Sequence, residues 1–249
     1  MPIPRLLAAL ACTWAALTAH AADVKVLTAG AFKPVLVAMQ PAFERQTGHR
    51  LHIENDTAGA LQKRIAGGES FDVVFSSPAS LQAVAAKLAD EAPLPLAKVG
   101  IGVAVKQGAP LPDVSTVESF RAALLQAKSV AYIDPASGGS SGIYLDQLFE
   151  RWGIAPQMRA KAVLVPGGLV AQKVVDGSAE LAVHQVSEIL AVPGAVLVGT
   201  IPAQVQNYTV YAGAVAAGSA NAAAGRELMA ALRSAQAVEV LKAKGMEAP

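Results

Sequence analysis

Apolar positions along this chain alternate between two periods. Short runs in which most residues are apolar, or every second one is, occur at 24–27 (VKVL), 51–54 (LHIE), 71–75 (FDVVF), 129–133 (SVAYI), 162–165 (AVLV) and 180–184 (ELAVH). Such runs predict strands. Between them lie longer stretches whose apolar residues fall three and four apart, at 34–48, 60–68, 79–89, 117–127, 143–153 and 169–177. That spacing predicts helices, the first closing on Gly48 as a C-cap. The chain ends with strands at 195–201 and 208–216 and helices at 222–234 and 235–245.

Strands alternating with helices predict βαβ units and an α/β fold with mostly parallel sheets. Two runs break the rhythm. The strand at 208–216 (YTVYAGAVA) is long and follows the connection IPAQVQN, and GIGVAV at 100–105 follows the irregular segment DEAPLPLAK. Both are expected to be crossings between two lobes. The resulting division is 22–102 for the first part of lobe I, 103–205 for lobe II, and 206–249 for the return to lobe I with its C-terminal helices.

Residues 1–21 stand apart from this pattern. Arg5 precedes an apolar run from Leu6 to Ala19, and Ala19-His20-Ala21 has the small-x-small form of a cleavage site. This is the pattern of a secretory signal peptide. Cys12 follows Ala9-Leu10-Ala11, a poor match to a lipid-attachment box, so a lipid anchor is not expected. Removing the segment removes the single cysteine and, with it, disulfide and thiolate chemistry. It also removes Arg5 from 20 basic residues, leaving 19 against 19 acidic ones. A balanced charge argues against nucleic-acid binding, which normally needs a basic stripe. No later run reaches the ~18 apolar residues of a membrane span.

Ligands of doubly wound sheets bind beyond the carboxyl ends of the strands. Here those ends lead into TAGAFKP, NDTAGAL, SSPAS, DPASGGSSG and PGG, all rich in small, hydroxyl or glycine residues. Most open into a helix, whose first turn has unpaired N–H groups and a partial positive charge. Converging termini of this kind would cradle an anion through dipoles and hydroxyls. Each alone is also what helix capping requires.

Other motifs point elsewhere. DPASGGSSG lacks the Lys-Ser/Thr of a P-loop and the spacing of a dinucleotide fingerprint. It does contain G-x-S-x-G around Ser140, with Asp176 and His184 following in the order of a serine hydrolase. Pro135 to Gly139 intervene between the strand and that serine, and His184 lies within an apolar run. His49, His52 and Glu54 suggest a metal set, but on a strand His49 falls on the opposite face from the other two. Asn207-Tyr208-Thr209 is a formal glycosylation sequon.

Taken together, VKVLTAGAFKPVLVAMQPAFERQTGHRLHIE, NDTAGALQKRIAGGESFDVVFSS, DPASGGSSGIYLDQLFERWGI and AQAVEVLKAKGMEAP resemble, in order and spacing, the periplasmic molybdate-binding proteins of bacterial ABC importers. The resemblance covers the chain after the signal segment. It implies a two-lobe periplasmic-binding-protein fold joined by hinge strands, no catalytic activity, no cofactor or metal, and a monomer in the periplasm. The bound anion would hold the lobes closed for a membrane permease and its ATPase. Lobe I would contribute Ala31, Phe32, Thr57, Ala58, Ser76 and Ser77; lobe II would contribute Ser140, Ser141, Gly168 and Gln185. Ala31 and Ala58 stand where that family has oxyanion-binding serines, and Gln185 where it has a tyrosine. The first expectation is therefore a molybdate- or tungstate-like oxyanion; the departures weaken it and leave a small organic carboxylate as the alternative, for which Lys33 is a candidate point charge and Gln185 both donor and acceptor.

Overall fold

The computed structural model describes residues 21–89 and 92–249. The signal peptide read at 1–21 lies, but for its last residue, outside the described residues. In chain order the elements begin with β1 (Asp23–Ala29), α1 (Lys33–Thr47), β2 (Arg50–Asp56), α2 (Ala58–Ala66), β3 (Val73–Ser76), α3 (Pro78–Gln82) and β4 (Leu94–Val99). Next come β5 (Ile101–Lys106), α4 (Val117–Gln126), β6 (Val130–Ile133), α5 (Ser140–Arg151), α6 (Ala155–Arg159), β7 (Ala162–Val165), α7 (Gln172–Val175), β8 (Leu181–Gln185), α8 (Val186–Ile189) and β9 (Ala195–Thr200). β10 (Thr209–Val215), α9 (Ala222–Ala231) and α10 (Ala235–Ala243) complete the chain.

The strands form two five-stranded sheets, ordered β2-β1-β3-β10-β4 and β7-β6-β8-β5-β9. In each, the strands that alternate with helices run parallel, whereas β10 and β4 in the first and β5 and β9 in the second pair antiparallel. The sheets are therefore mixed. Each strand of β3, β6 and β8 is buried along its whole length, which is why these segments read as continuous apolar runs.

Two segments depart from the sequence pattern. β4 falls within the stretch read as irregular, because prolines at 93 and 95 look like loop residues. It is an edge strand, the one place in a sheet where a missing N–H leaves no ladder bond unmade. The stretch 79–89, read as one helix, is α-helical only to Gln82 and continues as a 3₁₀ turn at Ala85–Lys87; Leu88 then bridges Ala216, and Ala89 N–H donates to the Val215 carbonyl. Sheet pairing at its end overrides local helical spacing.

The chain crosses between sheets twice, at Gly100 and through 201–208. One side chain joins the crossings. Gln206 accepts from Ile101 N–H at 2.7 Å and donates to the Ile101 carbonyl at 2.9 Å, while Asn207 N–H donates to the same side-chain oxygen. Val186 N–H donates to the Gly100 carbonyl at 3.0 Å. Val186 begins a helix of the second sheet, yet its side chain packs in the core of the first.

Candidate active site

The carboxyl ends of β1, β2, β6 and β8 face one another across the junction of the two sheets and enclose a cavity of about 40 Å³. Its walls include Ala31, Asn55, Thr57, Ala58, Ser140, Ser141, Gly168, His184, Gln185, Glu188 and Tyr211. Among the described residues lining it, none is Lys or Arg. Ala58, Ser140 and Ser141 occupy first turns of α2 and α5, where helix geometry leaves N–H groups without intrahelical acceptors.

The two halves touch directly around this space. Gly59 N–H donates to the Gly138 carbonyl at 3.1 Å, Thr57 Oγ1 donates to the Ser137 carbonyl, and Ser187 Oγ donates to the Ala31 carbonyl at 2.8 Å. Gly138 has φ of 79°, the left-handed region that glycine tolerates. A Cβ at Gly59 would lie 2.8 Å from Gly138 Cα. The glycine-rich stretch after β6 thus lets one backbone rest on the other.

The chemistry in the cavity centres on a strand that turns into a helix with no loop between them. Gln185 ends β8 and caps α8, so His184 and Glu188, four residues apart, come together: Nε2 lies 3.3 Å from Oε2. Both residues are buried, 2% and 6% exposed. Burial disfavours charge on either, pushing the Glu188 carboxyl up to about 8 and the His184 imidazole down to about 3. At neutral pH the pair is mainly a carboxylic acid beside a neutral imidazole. Its tautomer follows from which partner holds the shared proton. His184 Nδ1 has no protein partner.

Around this pair lies a polar network. Gln185 Nε2 donates to Ser140 Oγ and Thr209 Oγ1, both at 3.0 Å, and its Oε1 is left without a partner. Tyr211 is held by ring packing on Phe32, with centroids 6.2 Å apart, and Phe32 in turn packs on Phe75 at 5.3 Å. Burial raises the Tyr211 phenol well above its usual range, so it stays protonated.

Of the residues expected at a site, Ala31, Thr57, Ala58, Ser140, Ser141, Gly168 and Gln185 line the cavity. Thr57 Oγ1 is occupied, capping α2 through Ala60 N–H and tying the halves at Ser137. Phe32, Ser76 and Ser77 are not among its walls. Phe32 is a core residue, Ser76 is buried in β3 with its hydroxyl unpartnered, and Ser77 caps α3. Phe32 and Ser77 follow strands as expected and Ser76 ends one; Phe32 packs in the core and Ser77 caps a helix instead of lining the cavity.

The Ser140–Asp176–His184 arrangement is not assembled. Asp176 accepts from Ser178 N–H at the surface, and the partner of His184 is Glu188. The histidines at 49 and 52 also diverge. His49 Nδ1 accepts from Ala22 N–H and its Nε2 faces Glu227, whereas His52 faces Asp23. Among the described residues no group of three or more His, Cys, Asp or Glu converges as a metal site. Sequence reasoning missed Glu188, Tyr211, Thr209 and Asn55. The available signal for the first was the His-x-x-x-Glu spacing across the contiguous runs LAVHQ and VSEIL.

A structural match to a periplasmic molybdate-binding protein of Azotobacter vinelandii has a TM-score of 0.77 at 20% identity, covering 91% of this chain and 100% of that one. The sulfate-binding protein SubI of Mycobacterium tuberculosis matches with a TM-score of 0.72 at 17% identity, covering 92% and 87%. At these identities the shared property is the periplasmic-binding-protein fold. In sequence, an aconitate isomerase from a Pseudomonas species is 36% identical over 230 residues, covering 89% of this chain and 86% of that protein. That relative is an enzyme, and it corrects the expectation of a protein without catalytic activity. Residues 24–247 match the family described as bacterial extracellular solute-binding protein. With two mixed sheets closing over a cavity and this match along nearly the whole chain, the protein belongs to the bacterial extracellular solute-binding protein family.

Proposed function

We propose that this protein is an isomerase that shifts a proton within a small unsaturated carboxylate of the aconitate type. The observation that carries this reading is the buried His184–Glu188 pair at the wall of a small cavity whose lining holds no Lys or Arg. The 36% identical aconitate isomerase supports it. A carboxyl group with a pKa near the working pH can both take and return a proton, the property required of a single acid–base catalyst.

Aconitate carries a CH₂ group beside a C=C–H carbon. In its ionised form Glu188 takes one proton from the CH₂ group. The C–H electron pair moves into the adjacent double bond, and the charge spreads onto the flanking carboxylate. Glu188 then returns the proton to the former vinyl carbon. One C–H bond breaks and one forms, the double bond moves by one carbon, and its geometry can invert. No net proton or electron is exchanged. First-turn N–H groups of α5 and the phenol of Tyr211, both at the cavity wall, would hydrogen-bond the developing charge. His184 orients Glu188 and keeps the proton on the shared edge.

A metal oxyanion is the less favoured ligand, because the 36% identical relative is named for an organic carboxylate. We place the ligand between 22–102 with 206–249 on one side and 103–205 on the other, the two closing as lobes. The same closure would suit a periplasmic protein presenting its solute to an ABC permease.

The test is incubation of the processed chain with cis- or trans-aconitate in D₂O, followed by proton NMR. Interconversion is the expected result, with the substrate's own hydrogen carried over to the new CH₂ group faster than deuterium enters it. Loss of both in Glu188→Gln would assign the proton transfer. Wild-type protein that leaves both isomers unchanged refutes the proposal.

A further inference from the structure

A cavity of about 40 Å³ holds roughly three water-sized groups, each needing about 10–15 Å³. That is room for one carboxylate and little more, so any larger substrate must continue outward. The exit is defined by shared walls. Gly30, Asn55, Gly168 and Glu188 line both the cavity and an open groove of about 560 Å³. Two lysines line that groove, Lys33 at the first turn of α1 and Lys244 at the end of α10.

Both lysines are half-buried. Among the described residues, neither forms an ion pair with a carboxylate. Lys33 Nζ donates to Asn55 Oδ1 at 2.7 Å, which holds the ammonium beside the shared wall. The residues that 168–191 contribute to the groove are Gly168, Leu169, Leu190 and Ala191, with Glu188, at the shared wall, the one ionisable side chain among them. A polyanion entering a neutral cavity needs compensation where its remaining charges lie. The groove supplies cations at that place.

We infer that Lys33 and Lys244 form an outer carboxylate subsite, so that the substrate is a tricarboxylate lying across cavity and groove rather than a compact anion enclosed in the cavity. This rests on the isomerase proposal for the identity of the inner group, and its test is separable from it. One carboxylate is held inside by first-turn N–H groups, and the outer ones meet the two ammonium groups as point charges.

The experiment is titration calorimetry of the processed chain with propane-1,2,3-tricarboxylate, which has no double bond to isomerise, and with succinate. Lys33→Met, Lys244→Met and the double variant are compared with wild type, with Lys33→Arg as the charge-retaining control. Tricarboxylate affinity is expected to fall by about ten- to a hundredfold in the double variant, and to be largely kept by Lys33→Arg. Succinate affinity should change little. Equal losses for both ligands, no loss for either, or wild-type protein that binds no tricarboxylate would each overturn the subsite. Selective loss of tricarboxylate binding in a protein with no isomerase activity would keep the subsite and refute the isomerase instead.

Discussion

Replacing Glu188 with Gln probes the uncharged state of the buried pair through stability as well as activity. The unfolded carboxyl titrates near 4.5 and the folded one near 8. Between those values the unfolded chain releases a proton that the folded chain retains. Stability of the wild type therefore falls as pH rises across this window, by about 1.4 kcal/mol per unit. From pH 4.5 to pH 7 the interval is 2.5 units, so the penalty reaches about 3 kcal/mol. Gln has the same shape and no titration, so this penalty is absent from the variant. His184 works in the opposite direction, costing stability as pH falls below 6.5, and largely cancels between the two proteins. The assay is unfolding of both proteins at half-unit steps from pH 5 to pH 8. The variant should gain on the wild type steadily with pH and melt roughly 6–12 °C higher at pH 7, at 2–4 °C per kcal/mol for a chain of this size. A difference that stays constant with pH would refute the assignment. So would a wild type that gains on the variant as pH rises, because that is the signature of an imidazolium–carboxylate ion pair.

Two further substitutions test how the halves close. Gly59→Ala places a methyl group 2.8 Å from Gly138 Cα, a backbone atom with little room to yield. Ligand affinity should drop at least about tenfold by calorimetry while the unliganded melting temperature changes little, since closure bears the strain and the folded halves do not; unchanged affinity would show that the Gly59–Gly138 contact is not part of the bound form. Gln206→Ala removes both hydrogen bonds to Ile101 and should destabilise the chain by about 1–3 kcal/mol in denaturant melts. A loss below about 0.5 kcal/mol would mean that water replaces the amide at the crossings.

Much of the architecture was legible because the two hydrophobic periods are clean. β1, α1 and β2 follow the expected order, and Gly48 ends α1 in the left-handed conformation with φ of 77°. β4 was not legible: its prolines carry the local signature of a loop, and only its place at a sheet edge makes them acceptable. The site shows a similar division. Ala58, Ser140 and Ser141 could be read from helix starts that follow strands. Glu188 was missed although LAVHQ, a strand, runs directly into VSEIL, a helix: neither pattern marks the acid as buried, and its burial comes from packing against Gly30 of the other half. Thr209 and Tyr211 lie on the same face of β10 by simple alternation, but which face meets the cavity depends on pairings distant in sequence. Ser77 shows the reverse case, a hydroxyl in the expected place whose bond goes to Ser80 N–H.

Val186 gives α8 an unusual allegiance. Strand β8 belongs to the second sheet, but the first residue of the helix it becomes is embedded in the core of the first, and a Cβ placed at Gly245 would lie 2.5 Å from Val186 Cγ1. A side chain anchored across a joint in this way acts as a pivot. When two rigid bodies rotate about such a point, displacement grows with distance from it. Under the proposed closure, the tie between Ser187 and Ala31, one residue from the pivot, would lie on a short arm. Glu188 stands two residues from the fulcrum, so opening wide enough to admit a substrate would shift the proton-carrying group only slightly. Entry and chemistry would thereby be separated along one lever.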